Sequence, residues 1–143
     1  MKKRSYTGLA LALLLGAPAI AAADDLTGEQ VILCTAVHAT LCTDYGDCDS
    51  LPPWDLNIPQ FIEVNLKDKT LSTTKASAEN RATPIKNLQR EEGQIFLQGV
   101  EAGRAFSFVI NEKTGMASVA VAREGKTVSV FGACTPMPSP AAK

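Results

Sequence analysis

One histidine and not a single C-x-x-C pair are all that this chain of 143 residues offers to metal, haem or thiol chemistry. A structural zinc site needs four Cys or His ligands at short spacings, and a c-type haem needs C-x-x-C-H. His38, alone on the stretch Val31-Ile32-Leu33-Cys34-Thr35-Ala36-Val37-His38, satisfies neither, so no metal and no cofactor are expected. There is no G-x-S-x-G and no unpaired cysteine to set beside an imidazole. Asp44, Asp47 and Asp49 cluster near one turn but lack the D-x-D-x-D-G spacing and the distal glutamate of a calcium loop. The carboxylates Glu63, Glu91, Glu101 and Glu112 lie scattered beside turns, where solvation is the ordinary role. Carboxylates can still meet in space without a sequence signal, yet no constellation assembles here. The expectation is a non-enzymatic protein with no catalytic residue.

Long apolar runs are also scarce. Leu9 to Ile20 is the longest, broken by Gly16 and Pro18 and followed at once by Asp24 and Asp25. A membrane helix needs about 20 apolar residues, and this run is shorter. With Lys2-Lys3-Arg4 before it and Ala21-Ala22-Ala23 after it, the segment reads as a cleaved export signal over residues 1–23. The expected domain then spans residues 24–134, is periplasmic or secreted, and keeps no membrane anchor. Loss of residues 1–23 leaves 11 basic residues against 15 acidic ones, a net charge of −4. An acidic surface without a Lys/Arg cluster argues against nucleic acid and anionic lipid surfaces as partners and permits a basic protein.

What is present is alternation. Phe106, Phe108 and Ile110 alternate with Ala105, Ser107 and Val109, and the turns Thr114-Gly115 and Glu124-Gly125 separate further β-branched runs. Phe61–Leu66 and Thr70–Thr74 bracket Lys67-Asp68-Lys69, with Ile62, Val64, Leu66 and Leu71 expected inward. Residues 83–90 form another strand in which Ile85 and Leu88 have opposite parity, implying a bulge. Residues 30–41 carry a helix-capping signature, Thr27-Gly28-Glu29-Gln30, but their β-branched content and the period-two set Val31, Leu33, Val37, Ala39 and Leu41 favour a strand. The sum is an all-β, antiparallel up-and-down meander of about eight strands, a small closed or nearly closed barrel. The tail from residue 135 to 143 holds three prolines and is expected to be disordered.

The four cysteines, Cys34, Cys42, Cys48 and Cys134, are even in number in a chain read as exported, so two disulfides are expected. On a strand Cys34 and Cys42 would stand about 26 Å apart, beyond the reach of one bond. The expected pairs are therefore Cys34–Cys134, joining the first strand to the last, and Cys42–Cys48, pinning a short loop. In the excursion from Thr43 to Gln60 the only tryptophan, Trp54, is expected to plug one end of the sheet and is a weak candidate for binding.

The short cysteine-bounded loop, the Asn57-x-Pro59-x-Phe61 segment, the Thr114-Gly115 turn and the Phe131-Gly132-x-Cys134 ending resemble a group of small exported bacterial proteins of unknown function. That resemblance carries no chemistry. The architecture also looks like the small periplasmic barrels that inhibit lysozyme, although their inhibitory loop motif is not found here, so the likeness implies fold alone. Inward residues Phe106, Phe108, Val119, Val121, Val128 and Val130 are bulky enough to fill a small barrel. A filled barrel favours binding or inhibition of a periplasmic or extracellular protein. The alternative is a barrel that holds a small apolar ligand.

Overall fold

The structure, a computed structural model, describes residues 25–137. The expected export signal lies outside them. Among the described residues ten antiparallel strands form one curled sheet: β1 (Val31–Thr43), β2 (Cys48–Leu51), β3 (Phe61–Asn65), β4 (Thr70–Thr73), β5 (Ala82–Pro84), β6 (Asn87–Glu91), β7 (Gln94–Glu101), β8 (Arg104–Asn111), β9 (Met116–Arg123) and β10 (Lys126–Pro136). The order is β5-β4-β3-β1-β10-β9-β8-β7-β6, with β2 attached to β1. The all-β meander of the sequence is present. Its count rises from eight to ten because β2 forms beside the far end of β1 and because the expected strand at 83–90 divides in two.

That division explains the parity conflict between Ile85 and Leu88. No bulge sits there; the chain turns a corner at Ile85-Lys86 and changes partner, β5 pairing with β4 and β6 with β7. These two strands are also the ends of the sheet, so the barrel is open, a half-barrel rather than the closed one expected. Pro84, which has no N–H to give, stands on this edge, where proline is tolerated. The corner touches β7 through a hydrogen bond from Lys86 N to Gln98 O at 2.8 Å.

β1 is a strand, and its capping signature does not prevail over its β-branched residues. Val37 is pushed out at a bulge between Ala36 and His38, which reverses the strand's parity. Ile32 and Cys34 are buried before the bulge and Ala39 after it. Val31 and Leu33, expected inward, therefore face away from the core, while Ala39 and Leu41 keep their expected side. β1 pairs with β10 along its whole length, and Cys34 stands opposite Cys134. The disulfides are Cys34–Cys134 and Cys42–Cys48, with Cα separations of 4.0 and 4.1 Å. By loop-closure entropy the first, enclosing a loop of about 100 residues, stabilises by up to roughly 4.7 kcal/mol and the second by roughly 2.4. Two such bonds suit an oxidising, extracytoplasmic setting. No helix among the described residues is long and apolar enough to cross a membrane.

Turn chemistry agrees with the sequence. Asn111 Oδ1 accepts from the backbone N–H groups of Lys113 and Thr114, and Gly115 N closes the turn onto Asn111 O. β10 continues two residues beyond Cys134, and Met137 N donates to Val31 O at 3.1 Å, so residues 135–137 are held rather than loose. Residues 138–143 lie outside the described range.

Packing is uneven along the strands. One end of the curl is filled by Leu26, Ile32, Val64, Ile95, Leu97 and Ile110, all fully buried. Leu26 precedes the first strand and closes this end like a stopper, its N–H donating to Glu112 O at 2.6 Å. Arg90 holds the same corner, pairing with Glu112 at 3.1 Å and donating to Glu29 O.

Candidate functional site

Opposite the filled end, the curled sheet encloses a cavity of about 530 Å³. One wall is built row by row from the inward positions of three neighbouring strands. On β8, Arg104, Phe106 and Phe108 line it before the row reaches the buried Ile110; on β9 the row is Arg123, Val121, Val119 and Ala117; on β10 it is Lys126, Val128 and Val130. Cross-strand pairs join these rows: Val119 with Val130, Val121 with Val128, and Arg123 with Lys126. Cys34, Ile62 and Leu71 supply the wall on the other side.

The side chains that the sequence assigns to the interior are therefore inward, but they do not fill it. Phe106, Phe108 and Val130 are buried, Val119, Val121 and Val128 half-buried, and the space between them is open. Alternation says which side a residue faces. It does not say how far away the opposite wall stands.

Gly99 contributes by having no side chain. The ring of its cross-strand partner Phe106 occupies the place a Cβ would take, and Pro84 O would lie 3.0 Å from that atom. Phe106 then meets Phe108 edge-on, with ring centroids 5.8 Å apart and planes at 85°, a favoured aromatic geometry.

The loop between β2 and β3 forms part of the rim. A short 3-10 turn, Pro53–Leu56, ends at Asn57 in the left-handed region, φ 55° and ψ 37°, where asparagine is among the residues best tolerated. This places Leu56, Ile58 and Pro59 on the cavity wall. Trp54, expected as a plug, is instead 65% exposed on the outside. It borders a separate shallow depression of about 300 Å³ with Val37, His38, Ser50, Leu51, Pro52 and Pro53.

Charge gathers at the mouth. Arg81 binds both oxygens of Glu101, with Nη2 at 3.1 and 3.0 Å and Nε at 3.3 Å, and its Nη1 donates to Asn57 O at 3.2 Å and to Glu79 at 3.4 Å. Arg104 reaches the same Glu101 carboxylate at 3.3 Å. Burial works to raise the pKa of Glu101, but hydrogen bonds from Arg81 and Thr83 and the charges of Arg81 and Arg104 outweigh it, leaving the carboxyl below its ordinary value. Arg81 is held above its usual value by its hydrogen bond to Glu101, against the effect of burial. Glu101, read from the sequence as solvated, is thus a structural member of the rim. Arg81 and Arg104 carried no sequence signal, because their partners are fixed by the curl and not by spacing.

The other sequence candidates stay apart from the cavity. Asp44, Asp47 and Asp49 are exposed around the turn between β1 and β2 and at the start of β2. His38 is exposed, its Nε2 3.4 Å from Ser50 Oγ. Among the described residues no three of His, Cys, Asp and Glu gather in a way that could hold a metal ion. No protein-family model matches the chain, and a search of curated proteins finds no match, so the chemistry of this site is read from its own residues.

Proposed function

We propose that this is a non-enzymatic periplasmic or secreted protein that holds a small apolar ligand inside its half-barrel. The observation that supports this reading is the cavity, about 530 Å³ and walled by Phe106, Phe108, Val119, Val121, Val128 and Val130. Its volume falls within the roughly 300–1,000 Å³ of small-molecule sites, which combine apolar walls with a few polar groups. A ligand that fits these apolar walls gains dispersion contacts with them. The Cys34–Cys134 disulfide joins β1 to β10, where the two halves of the curl meet, and fixes their register. The test is titration with a neutral environment-sensitive dye such as N-phenylnaphthylamine, with Val119→Trp as the variant that obstructs the cavity. Saturable one-to-one uptake that the tryptophan abolishes supports the reading; absence of saturable uptake by the folded protein sinks it.

A second reading, binding or inhibition of another periplasmic or extracellular protein, is favoured by a different observation. Val37 and Trp54 are 67% and 65% exposed and border one depression on the outer face. Clustered exposed apolar side chains often mark contact surfaces, and the likeness to lysozyme-inhibiting barrels belongs with this reading. Replacing Trp54 by Ala separates the two: it removes partner binding under the second reading and leaves dye uptake intact under the first.

A further inference from the structure

The walls of the cavity are apolar, yet on β8, β9 and β10 the inward row ends in a charge at the mouth. On β9 and β10 the row of cross-strand pairs runs Val119–Val130, Val121–Val128, then Arg123–Lys126. On β8 it runs Phe108, Phe106, then Arg104. Counting every charged residue that lines the cavity gives four cations, Arg81, Arg104, Arg123 and Lys126, against two carboxylates, Asp55 and Glu101. The mouth is therefore positive by two charges, while the whole chain is net −1. Arg81 and Arg104 are engaged by Glu101. Arg123 and Lys126 have no carboxylate within 4.0 Å among the described residues, although Glu124 and Asp44 lie near the same turn.

We infer that the ligand is a single-chain amphiphile with an anionic head, a carboxylate or phosphate, its tail in the cavity and its head between Arg123 and Lys126. This rests on the ligand-binding reading above. Its physical basis is the order of the rows: apolar side chains in the interior and two unengaged cations one step further out reproduce the polarity of such a molecule along its length. A methylene occupies about the same volume as a water molecule in the liquid, roughly 30 Å³, so the cavity of about 530 Å³ accommodates one dodecyl chain and not two. Hydrogen bonds from Arg and Lys to a charged head are stronger than those to a neutral hydroxyl, and guanidinium matches carboxylate and phosphate geometry. Arg81 is not available for this role, because Glu101 and Asn57 O already occupy its donors.

The experiment measures displacement of the neutral dye by dodecanol, dodecanoate and dodecyl phosphate below their aggregation concentrations, for the wild-type protein and for the double variant Arg123→Gln, Lys126→Gln. Circular dichroism checks that the variant is folded. In the wild type an anionic ligand should bind more tightly than dodecanol, and the ratio should fall about tenfold in the variant. A larger fall for dodecyl phosphate than for dodecanoate assigns the head to phosphate, and the reverse assigns it to carboxylate. If dodecanol and both anions displace the dye but their ratios are unchanged in the variant, the head assignment is wrong while the cavity reading stands. If neither dye nor any of the three binds, the cavity reading itself has failed.

Discussion

Arg81 and Glu101 meet across the seam of the curled sheet, where no ladder joins β5 to β7 among the described residues, and three hydrogen bonds of 3.0 to 3.3 Å link their side chains. Side chains thus do at this seam what backbone ladders do elsewhere in the sheet. The contact also ties Asn57 O, and with it the loop after β2, to the rim.

Glu101→Gln should lower stability at neutral pH by about 1–3 kcal/mol, the range for hydrogen bonds to a charged, half-buried group. The sign of the pH dependence follows from a carboxyl whose folded pKa lies below its ordinary value of 4.5. Its stabilisation is fully present above that value and is lost as pH falls towards the folded pKa. The gap in denaturant midpoint between wild type and variant should therefore be narrower at pH 3 than at pH 7. A constant gap at both would mean that the charge on Glu101 is not what closes the seam.

Gly99→Ala places a Cβ where the Phe106 ring lies, and the ring has only the cavity to move into. Overpacking of this kind costs roughly 1–3 kcal/mol. The informative readout is the dye titration, in which affinity should fall because the cavity is smaller. Unaltered affinity together with a lost midpoint would place the Phe106 ring outside the binding space.

Gly132→Ala should be the harsher substitution. Its Cβ would overlap the carbonyl of Thr35 on β1, a backbone atom beside the bulge at Val37. That carbonyl cannot swing aside as a ring can, since the ladder and the Cys34–Cys134 bond hold both strands. The cost is expected at or beyond the upper end of roughly 1–3 kcal/mol. A thermal midpoint within a degree of wild type would show that the two strands approach less closely at this point.

Leu26→Ala opens the filled end of the barrel. Leu26 is fully buried although it precedes the first strand, and such a truncation costs about 2–5 kcal/mol. Because Leu26 does not line the cavity, dye affinity in the folded fraction should be retained. A loss below about 0.5 kcal/mol, typical of surface sites, would contradict the burial.

Most of the strands and their turns were legible in the residues, because they depend on short-range rules, whereas β2 and the division of the strand at 83–90 were not. Period-two alternation names the faces of β7 to β10, glycine-bearing turns separate them, and the extended reach from Cys34 to Cys42 already excludes their bond. Leu26, the outward Trp54 and the Arg81–Glu101 contact were not legible, since each depends on which distant segment arrives nearby. The strand at 83–90 carried a hint in its broken parity, but a bulge and a change of partner leave the same mark on a sequence. Parity in β1 failed before Val37 for a related reason: one extruded residue exchanges the two faces, and it lies just past the pair Ala36–Gly132, a long-range match that no local pattern announces. The cavity is the largest such case. Side-chain size and facing are local quantities, whereas the distance between opposite walls is set by strand number, stagger and the corner at Ile85-Lys86, and the same phenylalanines and valines that would fill a tighter barrel become the lining of this one.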